Sequence, residues 1–236
     1  MAVAILQARL SSTRLPGKVL MPLAGKPMIS RQIERLMRCQ RLSRVIVATS
    51  DAPSDDPLHA YLTAEGIAVF RGSLGDVLSR YLDCASHFKL GGDIVRLTAD
   101  CPLIDPEVVD AAIDLRVKTQ ADYVGNNRQR TYPRGLDVEV FPLRILEEAG
   151  RCAADAYDHE HVTPYIYQHP EKFALRDLVD PDRNDSHLRW TVDTAEDYAY
   201  VARVYEALYP AKPNFTSDDI RALPFSHFEP EFLEAK

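Results

Sequence analysis

The stretch MAVAILQARLSSTRLPGK, residues 1–18, decides the fold. From Met1 to Ala8 it is almost wholly apolar, with Val3, Ala4, Ile5 and Leu6 in succession. A strand with one wet face alternates; an unbroken apolar run predicts a strand buried on both faces, as in the middle of a parallel sheet. A polar loop follows, Arg9 to Pro27, punctuated by Pro16-Gly17 and Gly25. Ligands of open parallel sheets sit outside the carboxyl ends of the strands, which makes this first loop a candidate site. It offers Arg9, Arg14 and Lys18 as cations, Ser11 and Ser12 as hydroxyls, and a flexible Gly17. Such groups hold a polyphosphate: Arg as a bidentate donor, Lys as a point charge, free backbone N–H groups as a cradle. Two familiar phosphate loops are excluded. Ser12 stands where G-x-x-x-x-G-K-[ST] needs its first glycine, Val19 follows the lysine, and there is no G-x-G-x-x-G. A solvated surface loop has the same composition, but placement directly after a buried first strand favours the site.

Working outward, helices and strands alternate. Ile29, Ile33, Leu36 and Met37 fall at helical spacing, and RVIVAT (residues 44–49) is a second strand. Leu58, Leu62 and Ala64 precede Gly66, a helix stop, and Ile67 to Phe70 is a short strand. Val77, Leu78, Tyr81, Leu82, Ala85 and Phe88 form the next helical stripe; Asp93 to Ala99 is a strand, Val108, Val109, Ala112 and Ile113 mark a helix after Pro106, and a strand begins at Asp122–Gly125. The alternation predicts an α/β fold: a mostly parallel twisted sheet with right-handed crossovers and helices on both faces. After Gly125 the pattern changes. Leu136, Val138 and Val140 alternate with Asp137, Glu139 and Phe141, which predicts a half-exposed strand with Asp137 and Glu139 on one face. Helices are expected around 144–149 and 161–168, a strand at Leu188–Val192 and a final helix at Ala195–Leu208. Residues 126–187 therefore read as a small α+β insertion within one domain.

Composition bounds the function. The 236 residues suffice for one large α/β domain, 46% hydrophobic and 27% charged, with only the last few residues expected to be disordered. A net charge of −7 argues against a nucleic-acid partner, which needs clustered Lys and Arg over a whole face, but not against a small anion. Cys39, Cys84, Cys101 and Cys152 form no C-x-x-C pair, so they read as reduced thiols. No apolar run approaches a membrane span and no signal peptide is visible, which predicts a cytoplasmic protein.

Two aspartates stand at strand ends. Asp100 closes the strand ending at Ala99 and is followed by Cys101-Pro102-Leu103; Asp105 before Pro106 is the better helix cap there. Magnesium takes one or two carboxylates plus phosphate oxygens, so Asp100 suits it. Asp193, in W-T-V-D-T-A-E-D-Y, has two roles open to it. Either it or Thr194 N-caps the last helix, or it joins Asp100 at a metal. His159 and His161 resemble a metal pair only superficially, because H-x-H on a helix does not put both on one face.

The run R-x-x-S-T-R-L-P-G-K after an apolar first strand resembles the signature of the sugar-acid cytidylyltransferases, the CMP-Kdo and CMP-sialate synthetases, and most closely their SpsF-type branch. A-D-x-P-L at residues 99–103, V-D-T-x-E-D at 192–197 and R-G-S-x-x-D-V-L-x-R-Y at 71–81 extend the resemblance, which runs from about Ile5 to Tyr209. It implies a Rossmann-like, GT-A-like nucleotidyltransferase fold and a CTP substrate with Mg²⁺. The triphosphate would lie on Arg9, Ser11, Ser12, Arg14 and Lys18, and the metal on Asp100 and Asp193. The pyrimidine side would be built from Thr49, Arg71, Gly72, Ser73, Asp76 and Arg80, although Asp76 also fits a helix N-terminus and Arg80 a surface charge. The acceptor, an acidic sugar, would meet Arg134, Asp137, Glu139, Glu160 and His161 near a homodimer interface formed by the insertion. Transfer to a sugar phosphate or phosphonate is the nearest alternative. A GT-A glycosyltransferase lacks support because Thr98-Ala99-Asp100 supplies no D-x-D, and a non-catalytic nucleotide binder would not need Arg9, Lys18, Asp100 and Asp193 together.

Overall fold

A computed structural model describes residues 1–225. The last few residues, expected to be disordered, lie outside that range. Strand β1 (Ala2–Gln7) is central: β4 (Leu42–Ser50) pairs with it in parallel on one side and β6 (Asp93–Thr98) on the other. Its side chains alternate between two cores, Ala4 and Leu6 entering one and Ile5 the other, which is why its buried positions are all apolar. Beyond β4 lies β5 (Ala68–Gly72). Beyond β6 come β8 (Glu139–Pro142), β7 (Tyr123–Gly125) and β9 (Leu175–Asp177), giving the order β5-β4-β1-β6-β8-β7-β9. Only β8 runs antiparallel to its neighbours. The expected mostly parallel α/β sheet is therefore the one observed. A two-residue ladder, β2 (Pro22–Leu23) with β3 (Lys26–Pro27), and a 3-10 turn at Lys18–Leu20 lie inside the loop expected over 9–27.

Helices α1 (Met28–Leu36), α2 (Asp56–Ala64), α4 (Pro106–Thr119) and α8 (Ala195–Leu208) bury their apolar stripes in one core. Helices α3 (Val77–His87), α5 (Leu143–Cys152) and α7 (Pro164–Tyr167) bury theirs in the other. A short α6 (Ala156–His161) and α9 (Ser217–Arg221) complete the chain. Because β1 sends its crossover to β4 while β6 lies on its other flank, the strand order reverses at β1. The carboxyl ends of β4, β1 and β6 stand level there, with Gln7 opposite both Ala48 and Thr98.

The structure corrects four expectations. The strand around 136–141 is not half-exposed: β8 starts at Glu139, all four of its residues are buried, and Asp137 lies outside it. Helix α5 covers the face that alternation assigned to water. No strand forms at Leu188–Val192, where a single parallel bridge links Arg134 and Arg189. The segment is nonetheless fixed, because Arg134 N donates to the Leu188 carbonyl at 3.0 Å and Trp190 N to the Arg134 carbonyl at 2.6 Å. Gly135 permits that contact; a Cβ on it would stand 2.5 Å from the Trp190 carbonyl carbon. The helix expected over 161–168 is broken at Val162, which has φ 73, because Pro164 has no N–H with which to continue it. Finally, Arg80 is no surface charge, being wholly buried. The segment 126–187 supplies β8 and β9 to the main sheet.

Candidate active site

The loop after β1 folds back on itself. Gly17 N donates to the Leu10 carbonyl at 2.9 Å, and Gly17 adopts φ 73, a conformation that side chains resist. The buried Asp55 anchors the other limb, accepting from Leu10 N at 2.6 Å and from the Ser50 hydroxyl. This anchor escaped the sequence reading. The only signal for it was an acidic run, S-D-A-P-S-D-D, of the kind that normally faces water. Between the two anchors, the amides of Ser11, Ser12, Thr13 and Arg14 have no hydrogen-bond partner among the described residues. They are free donors on a cationic loop, the arrangement that suits phosphate oxygens.

Lys18 leaves this loop and is only 8% exposed. Its Nζ donates to the Val192 carbonyl at 2.6 Å, to Asp193 Oδ1 at 3.1 Å and to Asp100 Oδ2 at 3.5 Å. Two aspartates far apart in sequence thus meet on one ammonium. Backbone bonds bring them together: Val192 N and the Thr191 hydroxyl both donate to the Asp100 carbonyl, at 2.8 and 3.1 Å. Thr98 Oγ1 donates to Asp100 Oδ1 at 2.6 Å and fixes its carboxylate.

The two roles open to Asp193 are now separated. Thr194 caps α8, its hydroxyl accepting from Asp197 N while Asp197 accepts from Thr194 N, a reciprocal capping box. Asp193 is left for Lys18, for Arg189 at 2.7 Å and for Arg14 at 3.2 Å. Burial alone would raise its pKa. The Arg189 hydrogen bond and the Lys18 and Arg14 charges outweigh burial and hold the carboxyl below its ordinary value.

A cavity of about 330 Å³ opens over these groups, lined by Gln7, Arg9, Ser12, Arg14, Lys18, Asp100, His161 and Asp193 among others. It gathers most of the residues expected to hold a triphosphate and a metal. Ser11 stands beside it with its hydroxyl buried and unpartnered among the described residues. Among those residues no three His, Cys, Asp or Glu side chains gather into a metal cage. A pair of carboxylates at the mouth of a cationic loop instead fits a magnesium ion that takes its other ligands from phosphate and water.

The residues assigned to the pyrimidine lie outside this cavity, at the ends of β4 and β5 and the start of α3. Thr49 is wholly buried, its hydroxyl without a hydrogen-bond partner among the described residues. Arg71 donates to the Ser50 and Ala52 carbonyls, both at 3.0 Å, and pairs with Asp56. Gly72 accepts from Asp51 N, and a Cβ on it would press on Phe70 and Arg80. Ser73 accepts from Asp76 N at 3.0 Å and, through its carbonyl, from Arg80. Asp76 caps α3 and pairs with His159 at 2.9 Å.

The acceptor candidates scatter. His161 reaches the main cavity and packs against Tyr157 with ring centroids 4.3 Å apart and planes tilted by 53°, while His159 turns away to Asp76, as their spacing required. Arg134 and Glu160 are exposed. Asp137 is held by Arg130 and by Gly135 N. Glu139 is not available to a ligand: it is 3% exposed and bonded to Arg96, Tyr123 and Thr163. Burial would raise its pKa, but the Arg96 charge and those hydrogen bonds hold it low. Its contact with Thr163 ties the break between α6 and α7 to the sheet.

A cationic loop facing two carboxylates across the carboxyl edge of a parallel sheet, at the point where strand order reverses, defines a nucleotide-handling α/β enzyme. The chain matches the family model for cytidylyltransferases over residues 3–215. It is 36% identical over 213 residues to the spore coat polysaccharide biosynthesis protein SpsF of Bacillus subtilis, covering 86% of this chain and 85% of that one. It is 33% identical over 154 residues to the 3-deoxy-manno-octulosonate cytidylyltransferase of Anaeromyxobacter dehalogenans, covering 64% of this chain and 60% of that one. Among solved structures, a cytidylyltransferase from Leptospira borgpetersenii superposes with a TM-score of 0.87 at 35% identity, covering 93% of this chain and 92% of that one. The chain belongs to the cytidylyltransferase family and is a CTP-dependent nucleotidyltransferase. No helix among the described residues is long and apolar enough to cross a membrane.

Proposed function

We propose that the enzyme transfers CMP from CTP to an acidic sugar of the 3-deoxy-ulosonic or nonulosonic type, releasing pyrophosphate, in the synthesis of a surface polysaccharide or glycan. The convergence of Lys18, Asp100 and Asp193 beside the Arg9–Arg14 loop carries the reading. The acceptor hydroxyl oxygen attacks the α-phosphorus in line, the bond to the β-phosphate oxygen breaks, and the hydroxyl proton passes to solvent. Arg9, Arg14 and the free amides of residues 11–14 hold the β- and γ-phosphates and take up the charge that develops on them. Lys18 keeps Asp100 and Asp193 aligned before substrate arrives. Magnesium held by these two carboxylates would supply Lewis-acid polarisation of the α-phosphate. His161, which lines the cavity, and the exposed Arg134 are the acceptor candidates, an arginine being the natural partner for the acceptor's carboxylate. Similarity to SpsF, a spore coat polysaccharide biosynthesis protein, and to a 3-deoxy-manno-octulosonate cytidylyltransferase supports the acceptor class.

We also infer a homodimer through segment 126–187. Val162, Tyr165 and Ile166, apolar positions of that segment, are buried within the chain and require no partner. Tyr157 and Val179, 55% and 40% exposed, are the large apolar groups in that segment left facing outward, and they support an isologous contact. A pyrophosphate-release screen pairing CTP, UTP or ATP with acidic sugars, neutral sugars and sugar phosphates tests the reaction. Release with CTP and an acidic sugar is expected. Turnover only with a sugar phosphate would overturn the acceptor class.

A further inference from the structure

Between α1 and the carboxyl-terminal end of α8 lies a second cavity, of about 280 Å³, which shares no residue with the first. Arg31, Glu34, Arg35, Arg38, Tyr205 and Tyr209 form most of its wall. The three arginines repeat at helical spacing along and just past α1, so they face one way. Arg31 is fully engaged, by the Leu23 and Ala24 carbonyls, by Glu34 and by the Tyr209 hydroxyl. Arg35 is different. Its Nε donates to the Ile104 carbonyl at 2.6 Å, yet both terminal nitrogens lack a hydrogen-bond partner among the described residues, although the residue is 3% exposed. The neighbouring Tyr205 hydroxyl donates its own proton to the Pro102 carbonyl at 2.8 Å, with its oxygen close to the Arg35 guanidinium. Arg38 gives one nitrogen to Asn214 at 3.0 Å and leaves its Nε buried and unpartnered among the same residues.

A buried guanidinium with idle donors is costly unless something charged completes it. Aromatic rings pack against these groups: the Arg31 carbon lies 4.2 Å from the Tyr209 ring centre and the Arg35 carbon 4.3 Å from that of Phe215, a ring that uses none of its donors. A simple brace between α1 and the loop after Asp100 would need only the Arg35 Nε bond. It would not need two further idle nitrogens buried in the wall of a cavity beside a second arginine.

We propose that this cavity is a binding site for a phosphate group. Three arginines against one glutamate leave a surplus of two positive charges in its wall. A phosphate carries about −1.5 to −2 at neutral pH and matches that surplus, where a carboxylate offers half of it. Arg35 presents the two parallel N–H donors that grip a phosphate bidentately, and Arg38 closes on it from the half-exposed side. The site is bonded to the machinery of the first cavity. Arg35 and Tyr205 hold the Ile104 and Pro102 carbonyls of the loop that begins at Asp100, and Tyr205 and Tyr209 end the helix that Asp193 precedes.

The test is calorimetric titration of inorganic phosphate into magnesium-free protein carrying Lys18→Ala, which weakens the first cavity as a competing anion site. Arg38→Gln in that background should lower phosphate affinity at least tenfold. It should leave the melting curve unchanged, since Arg38 is half-exposed. Arg35→Lys keeps the charge, loses the fork, and should also lower affinity tenfold or more. Acetate at equal concentration should bind at least tenfold more weakly than phosphate. Phosphate affinity indifferent to Arg38→Gln, no phosphate heat in the Lys18→Ala protein, or acetate binding as tightly as phosphate would each overturn the proposal.

Discussion

Replacing Lys18 by Met keeps the buried stem and removes only the ammonium, so its consequences are read directly from three contacts. The Val192 carbonyl loses a donor at 2.6 Å in a buried setting. Leaving a buried acceptor unsatisfied costs about 1–3 kcal/mol. Asp193 loses a charge-assisted bond at 3.1 Å but keeps Arg189 and Arg14, which places that loss at the low end, about 1.5 kcal/mol. The Asp100 contact, at 3.5 Å, adds little. Stability without ligands should therefore fall by about 2.5–4.5 kcal/mol, or roughly 5–18 °C in Tm for a chain of this size. CTP should bind more weakly by about 1.5–3 kcal/mol, roughly 10- to 150-fold. CMP, which lacks the outer phosphates, should change by less than about threefold, under 1 kcal/mol. Urea denaturation and isothermal titration measure both effects. Equal loss of CTP and CMP affinity, with stability unchanged, would refute the placing of Lys18 between the phosphates and the aspartates.

Asp100→Asn and Asp193→Asn should each remove most turnover while far-UV circular dichroism stays native, whereas Thr194→Ala should cost about 1 kcal/mol of stability and leave turnover near normal. Reversal of that pattern in a combined kinetic and melting experiment would return Asp193 to a capping role. Glu139→Ala breaks a buried pair with Arg96 and should destabilise the fold by about 3–5 kcal/mol in urea. Because the Glu139 pKa is held low, its contribution is present above the ordinary carboxylate pKa and is lost as pH falls through the depressed one. His159 is shifted upward by its hydrogen bond to Asp76, so that pair contributes fully below about 6.5, the ordinary histidine pKa, and fades as pH rises through the raised value. An NMR titration should show the His159 pKa dropping in Asp76→Asn. Light scattering at micromolar concentration should give twice the 26.6 kDa chain mass, and a fully active monomer would remove the dimer.

The sheet and most of its helices were legible because strands buried on both faces and helices with one apolar stripe leave different periods in the sequence. Strand β1 and the stripe of α3 needed nothing else. The loop chemistry was legible for a related reason: cations and hydroxyls directly after a buried strand have no structural duty there. Segments whose environment depends on distant chain misled. Glu139 alternates like a surface residue, yet Arg96, Tyr123 and Thr163 convert its position into a buried one. Leu188–Val192 has strand composition but is fixed by Arg134, Gly135 and Asp100, none of them a sheet neighbour. Arg80 carries nothing in its local sequence to mark it as buried, and Asp55 was hidden in an acidic run. For Glu139, Leu188–Val192 and Asp55, long-range polar bonding overrode a local pattern.

The bond from Lys18 to the Val192 carbonyl joins residues 174 apart in the chain. On a ribosome adding 5–20 residues per second, that interval is roughly 9 to 35 s. Asp100 is added 82 residues after Lys18, and from then until Val192 emerges the nascent chain has the loop and one carboxylate but not their third partner, while β6 waits for β8 to cover its outer edge. The site is therefore incomplete until most of the polypeptide has been made. A chain arrested before Leu188 would carry an ammonium beside a single carboxylate and could not turn over, so premature termination yields inert fragments instead of unregulated enzyme.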